Sequence, residues 1–180
     1  MNQSTVTASF GDALRADGPV PTDREGRMML YGQFMGDWQA EVVDFLQGPR
    51  RTSTGEVHFA WVLEGRAIQD VWIVPARADR QPDAAASGLN WYGTTLRVYD
   101  PNSDTWRITW INPGTGDEIR LVGRRQGEEI VQEGTLENGV PVRWIFSDIA
   151  PRSCRWRCDM SPDGGTSWKL AVEAHLSRVG

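Results

Sequence analysis

From Trp38 to Leu176, apolar and polar residues alternate with a period of two in segment after segment, and this constrains the fold more than any other feature. Trp38, Ala40 and Val42 alternate with Gln39 and Glu41. Val57, Phe59, Trp61 and Leu63 alternate with Glu56 and His58, and Trp106, Ile108 and Trp110 with Arg107 and Thr109. The same holds for Ile119 and Leu121, for Cys154, Trp156 and Cys158, and for Trp168, Leu170, Val172, Ala174 and Leu176. Successive side chains on a strand point to opposite faces, so each run reads as a strand buried on one side. Ala67 to Val74, Tyr92 to Tyr99, Ile130 to Gly134 and Val142 to Phe146 complete the set. Turn residues separate the runs, as at Glu64-Gly65, Asp100-Pro101-Asn102, Asn112-Pro113-Gly114 and Glu137-Asn138-Gly139, and residues 77–89 form the longest loop. The pattern predicts about ten strands, and with no helical crossover between them they pair antiparallel in a sandwich or barrel.

Helical periodicity occurs once. Thr22 precedes Glu25 at capping-box spacing with Pro21 ahead, and Met28, Leu30, Tyr31, Phe34 and Met35 follow at the spacing of one helix face, ending near Gly36. Residues 1–21 are polar, carry Gly11, Gly18 and Pro19, and are expected to be a flexible tail in which Phe10, Ala13 and Leu14 form at most one docking turn. Residues 22–180 then make a single domain, a size that needs no staple.

A net charge of -5 and a pI near 5.1 give no reason to expect nucleic acid or an anionic membrane as a partner. No run approaches the roughly 20 apolar residues of a membrane span, and the N-terminus has no signal-peptide pattern, so a cytoplasmic protein is expected. Cys154 and Cys158 would lie about 13 Å apart on a strand, against roughly 6 Å for a disulfide, and no histidine neighbours them as a metal partner. They read as small buried residues in a reducing compartment, and no metal site is expected.

Gly36-Asp37-Trp38, at the junction of helix and first strand, resembles the Gly-x-Trp element of lipocalins and their calycin relatives. In those proteins the tryptophan plugs one barrel end under an arginine from the last strand, and Arg178 stands in that place here. Val62 to Asp70 and Ser161 to Trp168 extend the likeness to a family of uncharacterised bacterial lipocalin-like proteins, over about residues 28–178. The resemblance implies an all-β, antiparallel up-and-down barrel of about ten strands, with the short N-terminal helix capping one end. It implies no particular activity. Gly36, Trp38 and Arg178 would be structural, the guanidinium covering the indole face. Ser161, Asp163 and Trp168 also resemble the Asp-box hairpin of sialidases; as a single copy it reads as a turn, with Asp163 bonding backbone N–H groups and Trp168 packing beneath. Related nitrobindin-like barrels bind haem through a histidine near the C-terminus, but His175 and His58 both have outward parity. No cofactor is expected.

Nine tryptophans imply either a filled aromatic core or an aromatic-lined pocket. Inward parity nominates Phe59, Trp61, Trp106, Trp110, Trp144, Phe146 and Trp156 as ligand-binding residues. Trp72 and Tyr92 join them, although the inward face of residues 66–74 is undecided, since both faces carry apolar groups. Asp70, Arg66, Tyr92 and Arg97 are the candidate catalytic groups; the structural alternative is an ion pair between Asp70 and Arg97. Two functions follow. In the first, the barrel carries or senses a small hydrophobic, aromatic or polyketide-like molecule. In the second, the same cavity belongs to a cofactor-independent cyclase, isomerase or lyase. A third reading is an interaction protein that forms a homodimer through the helix or an exposed strand.

Overall fold

Alternating faces require somewhere to bury ten apolar rows at once, and closing the sheet on itself does so without leaving an edge. The computed structural model describes residues 9–23, 26–46, 49–80 and 90–180. A short helix α1 (Phe10–Leu14) and strand β1 (Arg15–Ala16) precede α2 (Met29–Gly32). Ten strands follow: β2 (Gly36–Asp44), β3 (Arg51–Val62), β4 (Ala67–Val74), β5 (Trp91–Asp100), β6 (Thr105–Asn112), β7 (Asp117–Gln126), β8 (Glu129–Thr135), β9 (Pro141–Ala150), β10 (Ser153–Met160) and β11 (Lys169–Arg178). Each of these ten pairs antiparallel with the next, and β11 returns to β2, so they form a closed up-and-down barrel. β1 adds to the end of β3, with Arg15 opposite Val62.

The N-terminal segment departs from the expected tail in its described part. Ser9 and Asp12 form a reciprocal capping box at the start of α1, and Leu63 N–H donates to Leu14 C=O at 2.9 Å. Residues 1–8 lie outside the described set. So does Glu25, and with it the expected box from Thr22; the residue holding the start of α2 is Asp23, which accepts from the Arg27 and Met28 N–H groups at 2.9 Å each. α2 is shorter than the predicted helix, and Phe34 and Met35 continue it as tight turns bonded to Tyr31 and Gly32. Of the expected 77–89 loop, residues 81–89 are outside the described set.

α2 caps one end of the barrel. Tyr31 and Phe34 point into it and are fully buried, Phe34 stacking on Phe146 at 4.7 Å and Tyr31 meeting Trp106 edge-on at 4.9 Å. The closing seam sits beside this plug. Arg178 is opposite Trp38 in the β2–β11 register, and its guanidinium lies 4.2 Å from the indole centroid. The same group donates to the carbonyls of Gln33 (2.8 Å), Pro151 (2.8 Å) and Met35, while the Trp38 indole N–H donates to Phe34 C=O at 2.7 Å. Gly36 has φ 110°, and a Cβ there would stand 3.2 Å from Arg178 Nη1, so position 36 tolerates little but glycine.

Removing this lock should loosen the barrel. Arg178→Ala is expected to lower stability by about 2–4 kcal/mol, and Arg178→Lys by about half of that, because lysine keeps the charge but not the planar fork. Urea unfolding measures both. A change within about 0.5 kcal/mol, the range of ordinary surface substitutions, would mean that closure does not depend on this contact.

Candidate functional site

Register decides which side chains share the barrel interior. Asp70 lies opposite Phe59 on β3 and Thr95 on β5, and Arg97 lies opposite Ile68 on β4 and Ile108 on β6, so Asp70 and Arg97 both face inward. They form an ion pair through Arg97 Nη1 and Asp70 Oδ2 with side chains 1% and 0% exposed. The second Asp70 oxygen accepts from Thr95 N–H at 3.1 Å, and Arg97 Nε donates to Gln132 Oε1 at 3.3 Å. Three rings surround the guanidinium: Tyr31 at 5.0 Å, Phe59 at 5.7 Å and Phe146 at 5.9 Å. Burial raises the Tyr31 phenol above its ordinary range, with the Arg97 charge opposing that rise, so the ring stays protonated. Its hydroxyl and Gln132 Nε2 are buried with no hydrogen-bond partner among the described residues.

This polar layer divides the interior. Between it and α2 the space is filled by Tyr31, Phe34, Phe59, Trp106 and Phe146. On the other side five tryptophans form one aromatic cluster: Trp72 to Trp91 (6.2 Å), Trp91 to Trp110 (6.2 Å), Trp110 to Trp144 (6.1 Å), Trp144 to Trp156 (5.7 Å), Trp156 to Trp72 (5.2 Å) and Trp91 to Trp156 (5.9 Å). They line a cavity of about 190 Å³ together with Thr95, Arg97, Ile119, Val142, Cys158 and Val172. Leu46, Asp117, Leu136 and Met160 complete it from the strand ends remote from α2. The site is thus an apolar, open-mouthed chamber whose polar lining includes a threonine hydroxyl and a charge-compensated guanidinium.

The nominated residues separate accordingly. Trp72, Trp110, Trp144 and Trp156 line the chamber, and the inward face of β4 is the one carrying Ile68, Asp70 and Trp72. Phe59, Trp61, Trp106 and Phe146 point inward but belong to the filled half; Trp61 packs against α2, where a Cβ on Gly32 would meet it at 2.5 Å. Tyr92 is on the outer wall, 50% exposed, with Arg80 over its ring. Arg66 is in the β3–β4 turn, exposed and paired with Glu64. Neither Tyr92 nor Arg66 reaches the chamber: Tyr92 has the opposite parity to Arg97 on one strand, and Arg66 precedes β4. Trp91 and Thr95 were not singled out, and the signal for them was present, because Trp91, Gly93, Thr95, Arg97 and Tyr99 share one parity. Gly93 marks the crowding there, since a Cβ would meet the Trp110 ring at 2.5 Å.

The remaining nominated residues are structural in their contacts. Asp163 accepts from Ser161 Oγ (2.8 Å), Ser167 N–H (2.8 Å) and Ser167 Oγ (2.6 Å), which holds its carboxyl below the usual range. Trp168 stacks on the Arg143 guanidinium at 3.8 Å. His58 bonds Asp37 at 2.7 Å on the outside, and His175 is exposed. Cys154 and Cys158 are free and buried, and burial pushes each thiol up to about 12.

The closed barrel with an internal chamber and one plugged end is a calycin-like fold. Solved structures with the same architecture include the S-type phycobiliprotein lyase CPES from Guillardia theta, with a TM-score of 0.58 over 89% of this chain and 99% of that one, at 7% identity. Rv2717c from M. tuberculosis matches with a TM-score of 0.56 over 86% of this chain and 98% of its own, at 15% identity. No protein-family model and no curated protein matches the chain. Among the described residues, no helix is long and apolar enough to cross a membrane.

Asp70→Ala would strand Arg97 without its counter-charge, and a loss of about 3–5 kcal/mol is expected in urea unfolding. Asp70→Leu combined with Arg97→Met should recover most of it, and failure to do so would mean that the pair stabilises the fold beyond cancelling its own burial. The thiols give a second expectation. Both are protonated in the folded state well past their unfolded value of 9.0, so their contribution is complete below pH 9 and is lost as pH rises toward 12. Unfolding midpoints should fall over that window, and fall less steeply in the Cys154→Ala/Cys158→Ala variant.

Proposed function

We propose that the barrel binds a compact, mostly apolar aromatic molecule among Trp72, Trp91, Trp110, Trp144 and Trp156, acting as a carrier or sensor. The observation that supports this most directly is the cluster of five indoles lining an open-mouthed cavity of about 190 Å³. An apolar cavity of about 150 Å³ is enough for benzene, whereas drug-sized ligands occupy roughly 300–1,000 Å³. The volume therefore favours one substituted ring or a small bicycle over a polyketide-sized molecule. Indole faces and edges suit flat rings, and the free thiols suit a reducing cell interior.

One structural neighbour is a phycobiliprotein lyase, so a barrel of this shape also serves catalysis. Among the described residues, the chamber presents donors but no unengaged base near its floor. Asp70 is engaged by Arg97 and Thr95 N–H, and Asp117 is exposed and accepts from Thr115 Oγ1. That balance favours binding over general acid–base chemistry.

Titration with naphthalene should quench tryptophan fluorescence saturably. Ile119, half-buried in the lining, offers a way to fill the chamber: Ile119→Trp should abolish the response while the protein still unfolds cooperatively. No saturable response, together with no small molecule retained in native mass spectrometry of protein from its natural host, would overturn the reading.

A further inference from the structure

Resting on that reading, we infer that the ligand's polar end is an uncharged hydrogen-bond acceptor, such as a ketone, aldehyde or quinone oxygen, docked on Thr95 and Arg97. A buried arginine facing a cavity suggests a carboxylate partner, but here its charge is already compensated. Asp70 sits against it with no exposure, and the groups around the pair, Gln132, Thr95 and the protonated phenol of Tyr31, are all neutral. The floor of the chamber is thus a neutral unit. An incoming carboxylate would bring one uncompensated negative charge to the buried floor of an apolar chamber, close to the Asp70 carboxylate.

A carbonyl oxygen meets no such penalty. Arg97 gives one of the five N–H donors of its guanidinium to Gln132 and one to Asp70, and its side chain lines the chamber. Thr95 is 1% exposed and its hydroxyl makes no hydrogen bond to the described residues, while its side chain lines the cavity together with Arg97. An acceptor oxygen at the floor satisfies donors that a plain hydrocarbon leaves unbonded. Selectivity therefore runs in two directions, against the anion and against the hydrocarbon, with the tryptophans holding the ring in either case.

Three probes of nearly equal shape separate these terms: acetophenone, benzoate and ethylbenzene, titrated at pH 7 by ligand-observed NMR. Acetophenone should bind at least about tenfold more tightly than benzoate and several-fold more tightly than ethylbenzene. Thr95→Val should shrink the advantage over ethylbenzene while leaving ethylbenzene binding unchanged. Asp70→Asn removes the compensating charge, so benzoate should gain about tenfold or more and overtake acetophenone. Where that variant fails to fold, the native protein and Thr95→Val still decide the matter. Benzoate equal to or tighter than acetophenone in the native protein overturns the inference, as does ethylbenzene equal to acetophenone; in either case the cavity reading stands. Binding of none of the three overturns both.

Discussion

The stack of Arg178 on Trp38 holds together the first and last strands of the barrel, and the rest of the architecture depends on it. Every other neighbouring pair of barrel strands is joined by its own connecting segment. The β2–β11 seam joins residues 38 and 178, from the first and last strands of the barrel, and side-chain and ladder contacts keep it shut. The guanidinium does more than cover a ring. By donating to Gln33 and Met35 carbonyls it fastens the chain that carries α2, and by donating to Pro151 it reaches the turn before β10. One side chain thereby ties the plug, the seam and an adjacent hairpin, and sets which end of the barrel is closed.

With one end plugged, the ion pair of Asp70 and Arg97 marks where filling stops. Toward α2, Tyr31 and Phe34 enter from the cap and consume the space between the strands. Beyond the pair, the described lining comes mainly from strand side chains, with Leu46 and Leu136 added at the strand ends. A buried pair of this kind is often less stabilising than an apolar substitute of the same volume. It stands at the boundary between the packed half and the chamber, where the Arg97 side chain forms part of the cavity lining.

Much of the barrel was legible because strand periodicity is robust: Trp38, Phe59, Trp110, Trp144, Trp156 and Leu176 face inward as alternation required. What alternation does not supply is the partner across the sheet. On β4 both Asp70 and Val71 have apolar neighbours, and only pairing of Asp70 with Phe59 and Thr95 shows which faces in. On β5 a shift of one residue moves a side chain through the wall, and Tyr92 and Trp91 exchange roles on that account. The helix plug was foreseen at Met28 to Met35, yet its depth was not. Whether Trp61, Trp106 and Phe146 border a ligand or a packed core depends on how far Tyr31 and Phe34 descend, and local pattern carries no such information.

The distribution of the nine tryptophans explains why the open half stays open. Trp38 serves the seam, Trp61 and Trp106 the packed half, and Trp168 the outer surface. The other five come from β4, β5, β6, β9 and β10, while the facing wall on β2 and β11 is built from small inward residues, Val42, Val172 and Ala174. A cavity lined by slender aliphatic side chains can shrink as rotamers relax into it. Indoles have two side-chain torsions, and here each ring contacts at least two others, edge-on in every case but the tilted pair Trp72–Trp156, so a ring that swings displaces its neighbours. The void is therefore held by the rings themselves. A ligand of the proposed kind would order little that was mobile before, because these contacts already order the rings in the folded chain.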